Sequence, residues 1–283
     1  MITQATLAVL VSALLPWAPS PAQSSNPPSD LVVSMEWLQA RLGDPSVAVI
    51  ATGGDATSDA NGRIPGARFL SHEATLGEGH RLLPPHEMAK RLAQAGASDS
   101  GRVVIYGDDP LTTGWLFMVF DALGHGDKVS MLDGNLAAWR SGGRPVSREA
   151  VPPATSTLTP RPSPNVVVDA DWVKSHVDDP RVRVLDVRSE RERANGYIAD
   201  APLVLWRDLY ADFDSRRFKN PAEMEQVFER AGVKRGQTVV TYCAIGMRAS
   251  LMYMAARRLG IPARVYVGSW ADWSARRYPV AGR

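Results

Sequence analysis

The chain of 283 residues has a single cysteine, Cys243, and only five histidines. One cysteine excludes a disulfide framework within the chain. Five scattered histidines and no second cysteine exclude a Cys/His cluster, so neither a metal nor another cofactor is expected. An excess of charge of one sign is also missing: 32 basic and 30 acidic residues leave +2. There is no basic run and no interleaving of basic with aromatic side chains, so nucleic acid is not an expected partner. Nor is there an apolar stretch of the ~20 residues that a membrane-crossing helix needs. The run from Leu7 to Ala18 has instead the length of a signal-peptide core, and Ser20-Pro21-Ala22 offers small residues for cleavage. Residues 1–22 lack Lys and Arg, so the usual charged start is absent. The pattern is still read as a signal peptide over 1–22. It implies a periplasmic or secreted protein that keeps no membrane contact after cleavage.

What is present is a soluble composition, 45% hydrophobic and 22% charged, in a length that suits two domains. The chain repeats itself at a spacing of about 135 residues. Trp37-Leu38 is answered by Trp172-Val173, Asp44-Pro45 by Asp179-Pro180, and Ala95-Gly96 by Ala231-Gly232. Gly134, Trp139 and Pro145-Val146 are answered by Gly268, Trp273 and Pro279-Val280. So long a period means tandem domains, here 31–146 and 166–283. The segment 147–165, rich in proline, serine and threonine, reads as an extended linker between them.

Short β-rich runs alternate with helical patterns in each half. In the second, Val182 to Asp186, Val239 to Tyr242 and Arg264 to Val267 read as strands. Asn220 caps a helix with Pro221 at its first position and Glu223 at its third, ending near Gly232. Another helix runs from about Met247 to Leu259 and stops at Gly260. The alternation predicts an α/β fold in which each domain is a mainly parallel sheet flanked by helices on both faces.

Cys243 sits where the strand Val239–Tyr242 gives way to a helix. A helix N-terminus favours an anion, so a thiolate there is stabilised and reactive, and the same N–H groups suit an oxyanion. The loop runs Cys243, Ala244, Ile245, Gly246, Met247, Arg248, which makes C-x-x-G-x-R. A phosphate-transferring cysteine loop of this shape is one residue longer. Repeat alignment sets Gly107, or Asp108 with one gap moved, at the cysteine position of the first half. Ala51 and Gly53 fall opposite Asp186 and Arg188.

The six-residue loop resembles the active-site loop of the rhodanese-type sulfurtransferases. Asp186-Val187-Arg188 is similar to that family's D-x-R segment, and Gly268-Ser269-Trp270-Ala271-Asp272-Trp273 to its G-S-W-x-x-W segment. Gly196-Tyr197-Ile198-Ala199-Asp200-Ala201 matches the family's G-H-I-P-G-A loosely, with Asp200 in place of a turn glycine. The resemblance covers nearly all of residues 31–283 and points to the two-domain branch, whose first domain is catalytically silent. It implies transfer of a sulfane sulfur from a small anionic donor, thiosulfate first, to cyanide or a thiol through a Cys243 persulfide. Arg248 then neutralises the donor or braces the loop. Arg188, oriented by Asp186, adds a second positive charge. Ala244, Ile245, Gly246 and Met247 supply the cradle, and Trp270 lines the cleft. Thiosulfate enzymes of this kind often carry a basic pair after the cysteine, where this chain has Ala244-Ile245. Mercaptopyruvate enzymes carry small polar residues there, which Ala244-Ile245 are not either, so the donor stays open between thiosulfate and 3-mercaptopyruvate; a persulfide carrier serving a dedicated protein is a further alternative.

Overall fold

The computed structural model describes residues 31–53 and 62–282. The expected leader, 1–22, lies outside the described residues. In the first half, β1 (Val32–Val33), β2 (Val47–Ala51), β3 (Arg68–Phe69), β4 (Arg102–Tyr106) and β5 (Val129–Leu132) form one sheet in the order β1-β5-β4-β2-β3. In the second, β6 (Val167–Val168) and β7 (Val182–Asp186) are followed by an antiparallel hairpin, β8 (Tyr210–Asp212) and β9 (Arg217–Phe218). Then come β10 (Thr238–Tyr242) and β11 (Ala263–Tyr266), and the sheet order is β6-β11-β10-β7. Every pairing within the two sheets is parallel.

Parallel strands are buried on both faces, and the sequence supplies apolar side chains for each. Val103 and Ile105 of β4 point into a core that holds α2 (Pro85–Gln94) and α3 (Pro110–Ala122). Val104 and Tyr106 point the other way, onto α1 (Met35–Gln39) and α4 (Leu136–Ser141). The second half repeats this. Val239 faces α7 (Pro221–Arg230) and α8 (Met247–Arg258). Val240 and Tyr242 face α5 (Ala170–His176) and α9 (Ser269–Ala275). Asn220 and Glu223 form the reciprocal cap at the start of α7 that their spacing predicts.

The internal repeat is written into hydrogen bonds as well as side chains. Tyr106 accepts the Ile64 N–H at 3.0 Å, and Tyr242 accepts the Ile198 N–H at 3.2 Å. Trp139 donates to the Pro145 carbonyl at 2.7 Å, and Trp273 to that of Pro279 at 2.9 Å. The turn at Asp200 keeps its shape without glycine: Asp200 takes φ 57, where the first half has Gly66 at φ 77. Aspartate tolerates this left-handed region better than most residues.

The two inner layers share one apolar core, with α3 laid against α8. Gly114 permits the approach, since a Cβ there would come within 2.6 Å of the Leu251 Cα. Asp121 on α3 fastens the far end, accepting from the Tyr253 hydroxyl at 2.5 Å and the Arg257 Nε at 2.7 Å. Gly114→Ala is therefore expected to destabilise the chain by roughly 1–3 kcal/mol, the usual range for overpacking. Thermal unfolding would measure this.

Segment 147–165 contributes no named helix or strand and is pinned to the first half. Backbone N–H groups of Ala154, Arg161 and Ser163 donate to carbonyls of Gln94, Leu123 and Ala122. Asp99 accepts from both the amide and the hydroxyl of Thr159, and Leu158 is buried.

Candidate active site

β10 ends at Tyr242, and the chain then turns through Cys243 to Gly246 before α8 begins. Gly246 caps the helix at φ 95, a conformation that side chains rarely adopt. Its N–H donates to the Cys243 Sγ at 3.1 Å. The Cys243 N–H is in turn taken by the Ser269 hydroxyl at 3.1 Å, which donates to the Tyr266 carbonyl at 2.8 Å. The N–H groups of Trp270 and Ala271 hold the carbonyls of Cys243 and Ala244 at 3.0 and 3.1 Å. The loop is thus stitched to the start of α9, with the sulfur turned toward the N-terminus of α8. Cys243 is 1% exposed, whereas Ile245 is 46% exposed. Any side chain at Gly246 would meet the Val267 carbonyl at 2.9 Å and the Trp115 ring of the first half at 3.2 Å. Trp115 is itself held by its Nε1–H on Thr75 at 2.9 Å.

Arg248, in the first turn of α8, gives both ends of its fork to Glu192, at 2.7 and 2.6 Å. That pair pulls the Glu192 carboxyl down to about 2 and raises Arg248, with the Cys243 sulfur acting on Arg248 as a second anion. Two of the five guanidinium donors are used on Glu192, which leaves others for a ligand at the sulfur. Glu192 also accepts from the amide and hydroxyl of Ser189, capping the short α6 (Glu190–Arg193). Sequence reading passed over Glu192, although Ser189-x-x-Glu192 is a capping-box pattern directly after D-x-R.

The sequence expectation sets Arg188 and Asp186 at the donor, but the structure buries both, at 1% and 0% exposure. Arg188 donates to the two Asp186 oxygens at 2.9 and 2.8 Å and to the Gly196 carbonyl at 2.8 Å. Its guanidinium lies 4.3 Å from the Trp270 ring centre. Asp186 also accepts from the Tyr242 hydroxyl at 2.7 Å and from Arg193 at 3.3 Å. A charge pair so enclosed, with its donors spent internally, braces the base of the loop and offers a donor molecule no fork. Trp270 is half-buried over Arg188. Ala244 and Met247 are half-buried within the loop, which brings Cys243, Gly246, Arg248 and Ile245 together above that bracing layer.

The first half shows why its own loop carries no nucleophile. Thr52 N–H bonds the Tyr106 carbonyl as Val187 N–H bonds that of Tyr242, which sets Gly107 opposite Cys243. A Cβ at Gly107 would come within 2.3 Å of the Thr52 carbonyl oxygen, so no cysteine fits there. Each half also lends a hairpin to the other's loop. Arg216, from β8–β9, donates to the Asp108 carbonyl at 3.1 Å, and Tyr210 and Phe218 close over Gly107. The matching hairpin of the first half, bridged at Leu76 and Leu82, stands beside Ile245 and Gly268. Because only the Asp108 backbone is engaged there, Asp108→Ala is expected to leave turnover unchanged. A loss of turnover at unchanged stability would contradict the silent reading of the first half.

Among the described residues, no helix is long and apolar enough to cross a membrane, and no group of His, Cys, Asp and Glu is placed to hold a metal ion.

Two parallel sheets with helices on both faces, and one cysteine loop over a helix N-terminus, define a tandem rhodanese-like protein. The sequence profile of the rhodanese-like domain matches residues 169–276, within the second of the two domains. It is 29% identical over 262 residues to thiosulfate sulfurtransferase of Azotobacter vinelandii, covering 86% of this chain and 93% of that one. It is 27% identical over 270 residues to sulfur carrier protein TtuD of Thermus thermophilus, with the same two coverages. In three dimensions it is similar to the 3-mercaptopyruvate sulfotransferase SseA from Escherichia coli, with a TM-score of 0.74 at 21% identity over 85% of this chain and 99% of that one. That last likeness speaks for the fold alone.

Proposed function

We propose that this chain is a sulfurtransferase that moves a sulfane sulfur from thiosulfate to cyanide or a thiol through a persulfide on Cys243. The observation that carries the reading is the lone cysteine with the Gly246 N–H on its sulfur and Arg248 beside it. In the first step the Cys243 thiolate attacks the outer sulfur of thiosulfate. A bond forms between the two sulfurs, the bond within thiosulfate breaks, and sulfite leaves with its electron pair. The Gly246 amide and the N-terminus of α8 stabilise the thiolate and then the persulfide anion. Arg248 holds the oxyanion end, held in place itself by Glu192. Arg188 and Asp186 keep the base of the loop rigid. In the second step the acceptor attacks the outer sulfur and Cys243 returns to the thiolate. Two displacements through a covalent intermediate predict ping-pong kinetics with thiosulfate and cyanide. Intersecting double-reciprocal lines would contradict them.

A 3-mercaptopyruvate donor is the second reading, because Ala244 and Ile245 supply no basic pair to an inorganic dianion. The ratio of specificity constants for the two donors decides between them. Export, with a mature chain beginning near Gln23, belongs to the same proposal. N-terminal sequencing from the native host would test it, and an intact Met1 on cytoplasmic protein would refute it.

A further inference from the structure

A cleft of about 520 Å³ opens beside the catalytic loop, between the 76–82 hairpin of the first half and the end of β11 with α9 of the second. Pockets for small organic molecules run from ~300 to ~1,000 Å³, far more than cyanide or thiosulfate needs. Its apolar wall includes Leu82, Val267, Ala271 and Ile245. Ile245 is one of two large apolar side chains exposed among the described residues, and it lies two positions beyond Cys243. The acidic groups of the cleft are already engaged. Asp272 accepts from the Tyr266 hydroxyl at 2.9 Å and the Arg276 Nε at 2.7 Å, and Asp169 takes the Trp172 N–H at 2.8 Å to cap α5. On the hairpin, next to Leu82, Arg81 is exposed and makes no ion pair with any described residue, with His80 on its other side. The cleft thus offers an apolar surface beside the sulfur-carrying loop and an uncommitted cation on the first-half hairpin that borders it.

We propose that this cleft is the acceptor site and that it takes an organic thiol bearing a carboxylate. The carboxylate meets Arg81, the carbon chain lies on Ile245, and the thiol is directed at the loop. The inference rests on the sulfur-transfer reading above. The acceptor thiolate attacks the outer sulfur of the Cys243 persulfide. A sulfur–sulfur bond forms on the acceptor, the bond to Cys243 breaks, and its electron pair returns to Cys243 as thiolate. The acceptor leaves as a persulfide, with no change in electron count.

The test compares glutathione, a thiol with carboxylates, with 2-mercaptoethanol, a thiol without one, as acceptors for sulfur from thiosulfate. In Arg81→Ala the ratio of their specificity constants is expected to fall about tenfold, the effect of one charge-assisted contact. Arg81→Glu should lower it further and Arg81→Lys restore most of it. A ratio that stays constant across the three variants overturns the proposal. So does an Arg81→Ala effect confined to the KM for thiosulfate, which would make this the donor's cleft. A second readout needs no turnover: glutathione binding to the Cys243→Ser protein, measured by calorimetry, should weaken about tenfold when Arg81→Ala is added. Binding that responds to Arg81, together with a wild-type protein that transfers no sulfur, would sink the sulfur-transfer reading and leave the cleft standing. Transfer without any response to Arg81 would do the reverse.

Discussion

Serine at position 243 is expected to abolish sulfur transfer while the protein stays folded. The Cys243 side chain lies in the shared core at the end of β10, where a hydroxyl is smaller than the thiol and still meets the Gly246 N–H. The fold therefore has little reason to respond, and thermal unfolding should shift slightly. The chemistry has every reason to. A serine hydroxyl at neutral pH is no match for a thiolate as nucleophile, and it cannot hold a transferable sulfur. No other cysteine in the chain can substitute for it. Turnover of thiosulfate with cyanide should fall to background. Retention of a measurable fraction of wild-type turnover would remove Cys243 from the mechanism.

Replacing Arg248 with alanine should have the second largest effect. Loss of a charge-assisted hydrogen bond costs roughly 1.5–3 kcal/mol, or about ten- to a hundred-fold in the specificity constant for thiosulfate. Arg248→Lys keeps the charge without the planar fork and should lose less. Arg248 also holds Glu192, so a control is needed to separate donor binding from bracing. Glu192→Gln removes the bracing charge and leaves the guanidinium. If bracing is the whole role of Arg248, the two substitutions will cost the same, and both will lower thermal stability. If Arg248 meets the donor, Arg248→Ala will be the more damaging for thiosulfate. The pair also has a pH signature. The Glu192 carboxyl is lowered from 4.5 to about 2, so its contribution to stability is complete above its unfolded value and is lost as pH falls from there through about 2. Glu192→Gln should flatten that part of the acid-unfolding profile.

Local chemistry made much of this architecture legible in the sequence. The Val182–Asp186 strand is an uninterrupted β-favouring run and appears with those bounds, and the cap at Asn220 announces α7. The strand expected at Arg264–Val267 falls one residue earlier, at Ala263–Tyr266, because pairing with β10 sets its register. The alignment of Ala51 and Gly53 with Asp186 and Arg188 holds in the sheet, because both pairs follow from hydrogen bonds to equivalent tyrosine carbonyls. Less legible was anything decided by residues far apart in the chain. The D-x-R resemblance sets Arg188 at the donor, and only the closure of Trp270, Tyr242 and Gly196 around it buries it instead. The hairpin exchange between halves, and with it the cleft at Arg81 and Ile245, depends on α3 packing against α8. No local pattern encodes that contact. Gly107 reads in the sequence as a missing cysteine. The structure adds that the Thr52 carbonyl leaves no room for one.

The most direct test of the central claim is the intact mass of the purified, reduced protein after incubation with thiosulfate alone. The account predicts a gain of one sulfur atom, located on the peptide that contains Cys243 and removed by cyanide with formation of thiocyanate. It predicts no gain in Cys243→Ser. A wild-type protein whose mass stays unchanged with thiosulfate and with 3-mercaptopyruvate, or a gain that persists in the serine variant, would contradict it.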